Sequence, residues 1–333
     1  MPEGVEVRKF ADILIHNLVN HSIVDINILK GRYTKKTFDG YQVLKGMLPV
    51  RVVAVKCKGK MTYIELRSEK ASGKTVWLIN TLGLTGGWTV AAKEKKDLHG
   101  ERRMRYMKKQ SEGAGTDAGT GMTFAYPVIW EYISNNNSNE WFERALEHLN
   151  VEFVMDSSVM GYFYDQLSFG TLKVVENRVE LEKKLKELGD DMLDETTTFE
   201  VFKKAIRKGV NKDKAIGNVL VNQKVISGIG NYLRADGLWL ARISPFRKVG
   251  ELSDMELETI YKSVRALMWG DYAPDEARKK GYIGGDFKIP RDYGREFFVY
   301  RQETDIEDRK VIKQELYEGT QKRSIYWVRE IQV

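Results

Sequence analysis

The sequence predicts an α+β protein of several domains: an amino-terminal helix with a β-sandwich, a helical domain, and a carboxy-terminal antiparallel β-hairpin. Three observations predict this class. Short segments alternating with period two fill the first half, apolar residues at helical spacing follow beyond about Glu180, and alternation returns at the chain end. The predicted domains are residues 1–180, 181–298 and 299–333.

The first element is an amphipathic helix. Phe10, Ile13, Leu14 and Leu18 recur at spacings of three and four residues. Segments of period two follow and predict the sandwich. These segments are Val52–Cys57, Met61–Leu66, Thr75–Asn80, Gly87–Val90, Phe124–Val128, Val151–Met155 and Gly161–Asp165. Residues 93–121 interrupt them as a predicted flexible insertion, basic first and then rich in small residues.

The middle of the chain carries helical patterns. Apolar residues recur at i, i+3 and i+4 in several segments, which predict an all-helical domain. The segments are residues 181–188, 199–208, 213–223, 231–241 and 253–269. In the tail, two alternating runs flank Gly319 and Thr320, a pattern typical of a β-hairpin.

Composition excludes several classes of protein. Of the 333 residues, 42% are hydrophobic and 30% charged, and no apolar run reaches the roughly 18 residues of a membrane span. The amino terminus lacks the apolar core of a secretory signal, so we expect an intracellular protein without a membrane partner. Cys57 is the single cysteine, which excludes an internal disulfide and a cysteine-rich zinc site. We expect no metal and no organic cofactor.

The net charge of +7 indicates nucleic acid as a partner. However, eight basic and three acidic residues lie within Lys93–Gln110, so this run alone holds +5 of the +7. A solvated charge run is a simpler interpretation of that segment than a DNA-binding arm.

Chemistry is first indicated by the opening residues, MPEGVE. Methionine before a small residue is usually removed, and Pro2 would then expose a secondary amine with a pKa of roughly 7.7 to 8.0. The positive end of the following helix disfavours its protonated form, so the amine is a competent nucleophile. Glu3 would serve beside it as proton donor and acceptor. The alternative is that proline followed by glutamate simply makes a good helix start.

A second chemical signal is the SGIGN turn, Ser227–Asn231, between two apolar helical runs. Gly228 and Gly230 let the backbone turn tightly and direct N–H groups outward at a helix start, which suits a phosphate. Asn231 adds a side-chain donor. A GxG turn alone is also typical of a plain connection between helices.

These motifs resemble one family. MPEGVE resembles the amino terminus of the formamidopyrimidine-DNA glycosylase / endonuclease VIII family, and KVISGIGNYLRADGLWLARISPF is similar to its helix-two-turn-helix element. CKGKMTYIEL and LINTLGLTGGW resemble its lysine-bearing strand and the turn that follows. The resemblance is closest to the Nei-like branch, and because the tail lacks cysteines it implies a zincless finger at the terminal hairpin.

The resemblance implies a role for each matching residue. Pro2 would attack the anomeric carbon of deoxyribose, and Glu3 would act as general acid near the ring oxygen. Lys60, Asn231 and Arg323, the last at the hairpin tip, would bind phosphates around the damaged nucleotide. Glu6 would support Glu3 or contact the damaged base. The alternatives for Lys60 and Arg323 are solvated surface cations.

Two departures from the family concern the gap left when the nucleotide leaves the duplex. Leu84 replaces the family's methionine and can still wedge into the base stack. In YDQLSFG, Leu167 and Ser168 stand at the positions of a double arginine, while Phe169 keeps the aromatic ring. We therefore expect weak discrimination of the opposite base, because neither replacement supplies a bidentate contact.

The resemblance implies a bifunctional DNA glycosylase and AP lyase acting on damaged double-stranded DNA, with single-stranded DNA left open. We expect a monomer that removes oxidised pyrimidines and also hydantoins, through β- and δ-elimination. It would act in a nucleus or in a viral or cytoplasmic replication compartment. The alternatives are an enzyme preferring 8-oxoguanine and a catalytically silent DNA-binding protein.

Overall fold

The computed structural model describes residues 2–70, 73–92, 148–285, 287–290, 293–294, 296–318 and 320–333. The predicted strand Phe124–Val128, the basic run Lys93–Gln110 and the insertion 93–121 lie outside the described residues. The chain divides into two compact units. The first comprises Met1–Pro2, Val7–Cys57 and Met61–Lys183, and the second comprises Glu3–Glu6, Lys58–Lys60 and Lys184–Val333.

The first unit is built on a helix and one eight-stranded sheet. Helix α1 is Gly4–Leu18, whose first three residues group with the second unit, and a short helix α2 is Tyr41–Met47. The strands are β1 Ser22–Ile28, β2 Val50–Lys58, β3 Met61–Ser68, β4 Thr75–Thr81, β5 Gly86–Ala92, β6 Leu149–Met155, β7 Val159–Asp165 and β8 Thr171–Val175. Their order in the sheet is β5-β7-β6-β1-β2-β3-β4-β8.

The sheet curls around a single core. Trp88 of β5 donates its indole N–H to Asn80 Oδ1 of β4 at 2.9 Å, although these strands are first and seventh in the sheet order. Buried side chains from all eight strands and from α1 belong to one apolar cluster. The expected sandwich is thus one continuous sheet, because β1 pairs with β6 along most of its length and with β2 through Ser22 and Ile23.

The second unit is mainly helical. Its helices are α3 Arg178–Lys186, which crosses the boundary between the units, α4 Phe199–Ile206, α5 Ile216–Leu220, α6 Asn231–Leu240, α7 Asp254–Tyr272 and α8 Pro274–Lys279. Local signals fix several starts: Ser253 and Glu256 form a capping box before α7, and Pro274 occupies the first turn of α8. Two short strands, β9 Asp190–Asp191 and β10 Ile226–Ser227, pair in parallel.

A hairpin completes the second unit. Strands β11 Ile312–Glu318 and β12 Gln321–Trp327 pair at seven positions on either side of residues 319 and 320. Leu316 and Ile325 are buried in the same apolar cluster as the helices. The expected α+β architecture, helix plus sheet followed by a helical domain and a carboxy-terminal hairpin, is confirmed. Among the described helices, none has the length and apolarity required to cross a membrane.

Candidate active site

Glu3 caps a helix that is remote in sequence. It follows the half-buried Pro2 directly and is itself fully buried. Its carboxylate accepts backbone N–H bonds from Gly230 at 2.7 Å, Tyr232 at 3.0 Å and Leu233 at 3.3 Å. These N–H groups stand at the start of α6 and lack partners within their own helix. Glu3 therefore satisfies them from outside, at the end of the helix that favours negative charge.

A second carboxylate lies beside the first. Glu6 Oε2 accepts the backbone N–H of Glu3 at 2.8 Å, and the Tyr232 hydroxyl lies 3.0 Å from both Glu6 oxygens. Tyr232 thus contacts both acids, Glu3 through its backbone and Glu6 through its side chain. Burial raises the pKa of the Tyr232 hydroxyl well above 10, with further contributions from the two glutamates, so the hydroxyl stays a donor.

Burial favours the uncharged forms of both the Glu3 carboxyl and the Lys60 side chain by shifting their pKa values. It raises the pKa of Glu3 to about 7, with Glu6 adding to the increase and Lys60 and the N–H groups of Tyr232 and Gly230 opposing it. Burial lowers the pKa of Lys60, and the glutamates oppose this shift. The charges of Arg323 and Arg234 lower the Lys60 pKa further. Glu3 can therefore donate or accept a proton near neutral pH.

Lys60 lies in the turn between β2 and β3, two residues beyond the end of β2 and directly before the start of β3. Its two predecessors are anchored: Lys58 Nζ donates to the carbonyls of Leu185 and Leu188 at 3.1 Å, and the Gly59 N–H donates to Asp191 Oδ2 at 2.8 Å. Lys60 itself is half-buried and not on a solvated face. The Lys60 ammonium lies beside the Glu3 carboxyl, since a Cβ placed on Gly230 would meet both groups.

The SGIGN turn is fixed by hydrogen bonds on both sides. Gly228 has φ +97°, which favours glycine, and its N–H donates to Gln223 Oε1 at 3.0 Å. Gln223 Nε2 donates in return to the Ile229 carbonyl at 2.7 Å. The Gly4 N–H donates to the Gly228 carbonyl at 2.8 Å, which ties the start of α1 to the turn.

Asn231 and Arg323 occupy neighbouring elements of the second unit. Asn231 begins α6 and is half-buried, and its Oδ1 accepts a hydrogen bond from Arg234 Nη2 at 3.3 Å. Arg323 is exposed and lies within β12 opposite Leu316. The sequence placed Arg323 at the hairpin tip. The structure places it within the strand instead, because the two strands stay paired as far as residues 318 and 321.

Leu84, Leu167 and Phe169 all belong to the first unit and are exposed by 43%, 49% and 59%. Hydrogen bonds join their two loops: Thr85 Oγ1 donates to Asp165 Oδ1 at 2.6 Å and accepts the Leu167 N–H at 2.9 Å. The Gly83 backbone also lies against Phe169, since a Cβ on Gly83 would stand 3.0 Å from the Phe169 Cβ. Two bonded loops therefore present three apolar side chains to solvent.

The sequence did not reveal Tyr232, Arg234 or Gln223 as part of this site. An aromatic or a basic residue in an apolar helix is ordinarily assigned to the core or to the surface, and nothing in a single sequence marks its partners. As for metals, the described residues contain no cluster of three or more histidine, cysteine, aspartate or glutamate side chains that could hold an ion.

The fold and the site together define a class: Fpg-like proteins, in which a helix and sheet precede a helix-two-turn-helix element and a hairpin. Two family models match, "Formamidopyrimidine-DNA glycosylase N-terminal domain" over residues 1–172 and "Formamidopyrimidine-DNA glycosylase H2TH domain" over residues 188–272. The chain therefore belongs to the formamidopyrimidine-DNA glycosylase family.

Relatives from bacteria share this name at low identity. The formamidopyrimidine-DNA glycosylase of Listeria monocytogenes is 26% identical over 159 residues, covering 47% of this chain and 57% of the relative. That of Rickettsia canadensis is 28% identical over 157 residues, covering 47% and 56%. The match thus spans little more than half of these relatives, whereas that of Corynebacterium glutamicum, 22% identical over 272 residues, covers 80% and 77%.

Solved structures show the same fold. A complex of the LlFpg protein with THF-DNA and an inhibitor has a TM-score of 0.67 at 18% identity, covering 100% of both chains. A complex of wild-type Lactococcus lactis Fpg with DNA containing an oxidized pyrimidine has a TM-score of 0.64 at 18% identity, covering 99% of both chains.

Proposed function

We propose that this protein is a bifunctional DNA glycosylase and AP lyase of base excision repair, in the Nei-like branch of its family. Its substrates are oxidised pyrimidines, and also hydantoins, in double-stranded DNA. The observation that carries the proposal is the buried Glu3, whose pKa is raised to about 7 beside Lys60 and the start of α6. A perturbed acid next to the amino-terminal proline suits acid catalysis at a sugar.

The reaction follows from these groups. The neutral nitrogen of Pro2, exposed once Met1 is removed, attacks C1′ of the damaged nucleotide, and the bond from C1′ to the base breaks while the base takes up a proton. Glu3 donates a proton to the ring oxygen, the sugar opens, and an iminium joins Pro2 to C1′. Loss of the acidified C2′ proton expels the 3′ phosphate, and a second elimination expels the 5′ phosphate.

Extrusion of the damaged nucleotide sets the substrate class. Leaving the base stack costs a few kcal/mol and costs least for a base that already stacks poorly, such as a saturated, nonplanar pyrimidine. In our proposal, phosphate contacts from Lys60, Asn231 and Arg323 offset this cost. The exposed Leu84 and Phe169 fill the vacated space.

In our proposal the terminal hairpin is a zincless finger, which hydrogen bonds from the helices hold in place of a metal ion. Asn218 Nδ2 of α5 donates to the Tyr317 carbonyl at 2.8 Å, and Arg234 Nη2 of α6 donates to the Ser324 carbonyl at 2.8 Å. Both strands are thus held by helical side chains, and the chain after Cys57 contains no cysteine.

A second candidate is a preference for oxidised purines. The relatives in Listeria, Rickettsia and Corynebacterium are named formamidopyrimidine-DNA glycosylases. The wild-type Lactococcus lactis protein was crystallised with DNA containing an oxidized pyrimidine, and a mutant of it with DNA containing Fapy-dG. Release of thymine glycol should be compared with release of 8-oxoguanine paired with cytosine. A strong preference for the purine would replace our substrate assignment by this candidate.

Borohydride trapping tests the chemistry. The wild-type protein should form a covalent adduct with a duplex that contains an abasic site, and Pro2→Gly should form none. Intact-mass measurement of the same samples should show loss of Met1, because a proline nitrogen in a peptide bond is not a nucleophile. Binding without an adduct, together with retained Met1, would identify a catalytically silent DNA-binding protein instead.

A further inference from the structure

Arg234 is a fully buried cation with an unusual set of partners. It lies in α6 three residues beyond Asn231, and its guanidinium donates to the Gly217 carbonyl at 3.2 Å, Asn231 Oδ1 at 3.3 Å and the Ser324 carbonyl at 2.8 Å. Its Nε has no partner among the described residues. Burying a cation is costly unless it is well bonded, so this position has a specific reason to carry arginine.

The three acceptors belong to three different elements: α5, the first residue of α6, and β12. Two of them concern the proposed phosphate contacts. Asn231 is one of these contacts itself, and Ser324 is the chain neighbour of Arg323. The charge of Arg323 also lowers the pKa of Arg234, which indicates that the two cations are close.

We propose that Arg234 is a positioning residue that orients the Asn231 amide and fixes β12, so that Asn231 and Arg323 grip DNA phosphates together. This inference rests on the proposed function. With Oδ1 held by Arg234, the Asn231 amide keeps its Nδ2 donors for an acceptor outside the protein. The planar fork of a guanidinium bonds several oxygens at fixed angles, which a single ammonium group does not do.

Removal of Arg234 has two effects of opposite sign, the loss of its hydrogen bonds and the loss of its charge, and two variants separate them. Arg234 adds positive charge near Lys60 and Arg323, so its removal relieves repulsion among the cations. Arg234→Met removes both charge and geometry, whereas Arg234→Lys keeps the charge and loses most of the geometry. Arg265 offers a matched control, because it is also buried and donates to the carbonyls of Met192, Asp194 and Thr197.

The experiment measures the Kd for a duplex with a tetrahydrofuran abasic-site analogue between about 50 and 200 mM salt, a range over which phosphate contacts dominate affinity. We expect Arg234→Met to raise Kd about tenfold or more and to flatten the slope of log Kd against log salt by about 0.9 per lost phosphate contact. Arg234→Lys should flatten it equally, and Arg265→Met should leave it unchanged.

A double-mutant cycle completes the test. In the Asn231→Ala background, Arg234→Met should weaken binding by a smaller factor than in the wild type, since part of its effect acts through Asn231. Full recovery of the slope by Arg234→Lys, or equal losses in the Arg234→Met and Arg265→Met proteins, would overturn the inference. If Arg234→Met does not fold, Arg234→Lys and its cycle decide alone. Absence of an adduct from the wild type counts against the proposed catalysis and leaves the salt-slope test intact.

Discussion

The Glu3 carboxylate accepts the backbone N–H of Gly230 at 2.7 Å, although the two residues are 227 positions apart. The glycine is required here for space and not for its dihedral angle, since its φ is −127°. A Cβ at this position would clash with the Glu3 carboxyl and crowd the Lys60 ammonium. The Glu3 carboxyl and the Lys60 ammonium are thus both close to Gly230 because this residue has no side chain.

Gly230→Ala should therefore damage the site more than the fold. The added methyl would displace Glu3 and Lys60, and a displacement of about 1 Å can cost on the order of 100-fold in rate. We expect such a loss in the single-turnover trapping rate. Gly46→Ala is the control, because a Cβ there meets nothing within 4 Å and the residue is in helix α2, where alanine should stabilise by about 0.5 to 1 kcal/mol. Equal rates in both variants would contradict the assignment.

Glu3 should also control the pH dependence of the reaction. Its protonated form is the proposed acid and its pKa is raised to about 7, whereas the Pro2 nitrogen must be neutral, so the rate of base release should pass through a maximum and then fall as pH rises further. Rate profiles of the wild type measured from pH 5 to about 9 would show this limb. Glu3→Gln should be nearly inactive throughout. A wild-type rate that stays flat to pH 9 would exclude Glu3 as the acid.

The same shift predicts an effect on stability. The folded pKa lies above the unfolded value of 4.5, so the protonated carboxyl stabilises the fold at low pH and this contribution is lost as pH rises from 4.5 through 7. The loss amounts to up to about 3 kcal/mol for a shift of this size. Denaturant unfolding of wild type and Glu3→Gln should diverge over that window. Parallel curves would contradict the raised pKa.

Tyr232→Phe should weaken the site without unfolding it. The change removes the hydroxyl that bonds Glu6, which in turn holds the Glu3 N–H. Leaving a buried carboxylate short of a donor costs about 1 to 3 kcal/mol, so we expect roughly a tenfold lower trapping rate. Tyr261→Phe is the control: it loses a comparable bond, to the Thr197 carbonyl at 2.9 Å, outside the site. Unchanged trapping by Tyr232→Phe would assign the hydroxyl a packing role only.

Asp236→Ala should be strongly destabilising. The carboxylate is fully buried and accepts the Tyr293 hydroxyl and the N–H groups of Phe298, Val299 and Tyr300 at 3.0 to 3.1 Å. Its loss leaves several buried donors unsatisfied, at about 3 kcal/mol or more in total. Thermal unfolding should show a markedly lower Tm, while the exposed Asp213→Ala should unfold like the wild type. Equal Tm values for the two variants would contradict this anchor.

The apolar side chains of the first unit should affect DNA binding and not stability. Leu84→Ala and Phe169→Ala should weaken binding to a lesion duplex, while their Tm values stay close to that of the control Val179→Ala, a change at a residue exposed by 77%.

The rates of base release by the wild type opposite the four bases should differ by less than about tenfold, because no arginine stands at Leu167 or Ser168 to read the partner base. A steeper preference would show that another side chain reads it.

Much of the fold was predictable because its elements are amphipathic and locally signalled. Apolar and polar residues alternate clearly in the strands from Val50 to Ala92 and in the terminal hairpin. The capping box marks the start of helix α7 in the sequence. Strand β1 was missed, since Asp25 and Asn27 place polar residues within SIVDINI, yet this strand joins the two halves of the sheet. Its pairing partners lie 27 (Ile23 with Val50) to 132 (Ile23 with Met155) positions away, and no local pattern contains them.

The site shows the same division. The sequence singled out Glu3, Lys60 and Asn231 through motifs, and the motifs also locate the SGIGN turn. Tyr232 and Arg234 were out of reach, because their roles arise from contacts with residues remote in the chain. The roles of the motif residues in catalysis remain predictions for the experiments above.

The grouping of Glu3–Glu6 and Lys58–Lys60 with the carboxy-terminal unit has a consequence for protein engineering. A fragment ending near residue 183 would carry the acid and the lysine away from the glycine turn that receives them. Likewise, a chimera of two homologous proteins joined near residue 183 would take Glu3 and Lys60 from one parent and the SGIGN turn from the other. Successful hybrids should therefore transfer the first six residues and the β2–β3 turn together with the carboxy-terminal half.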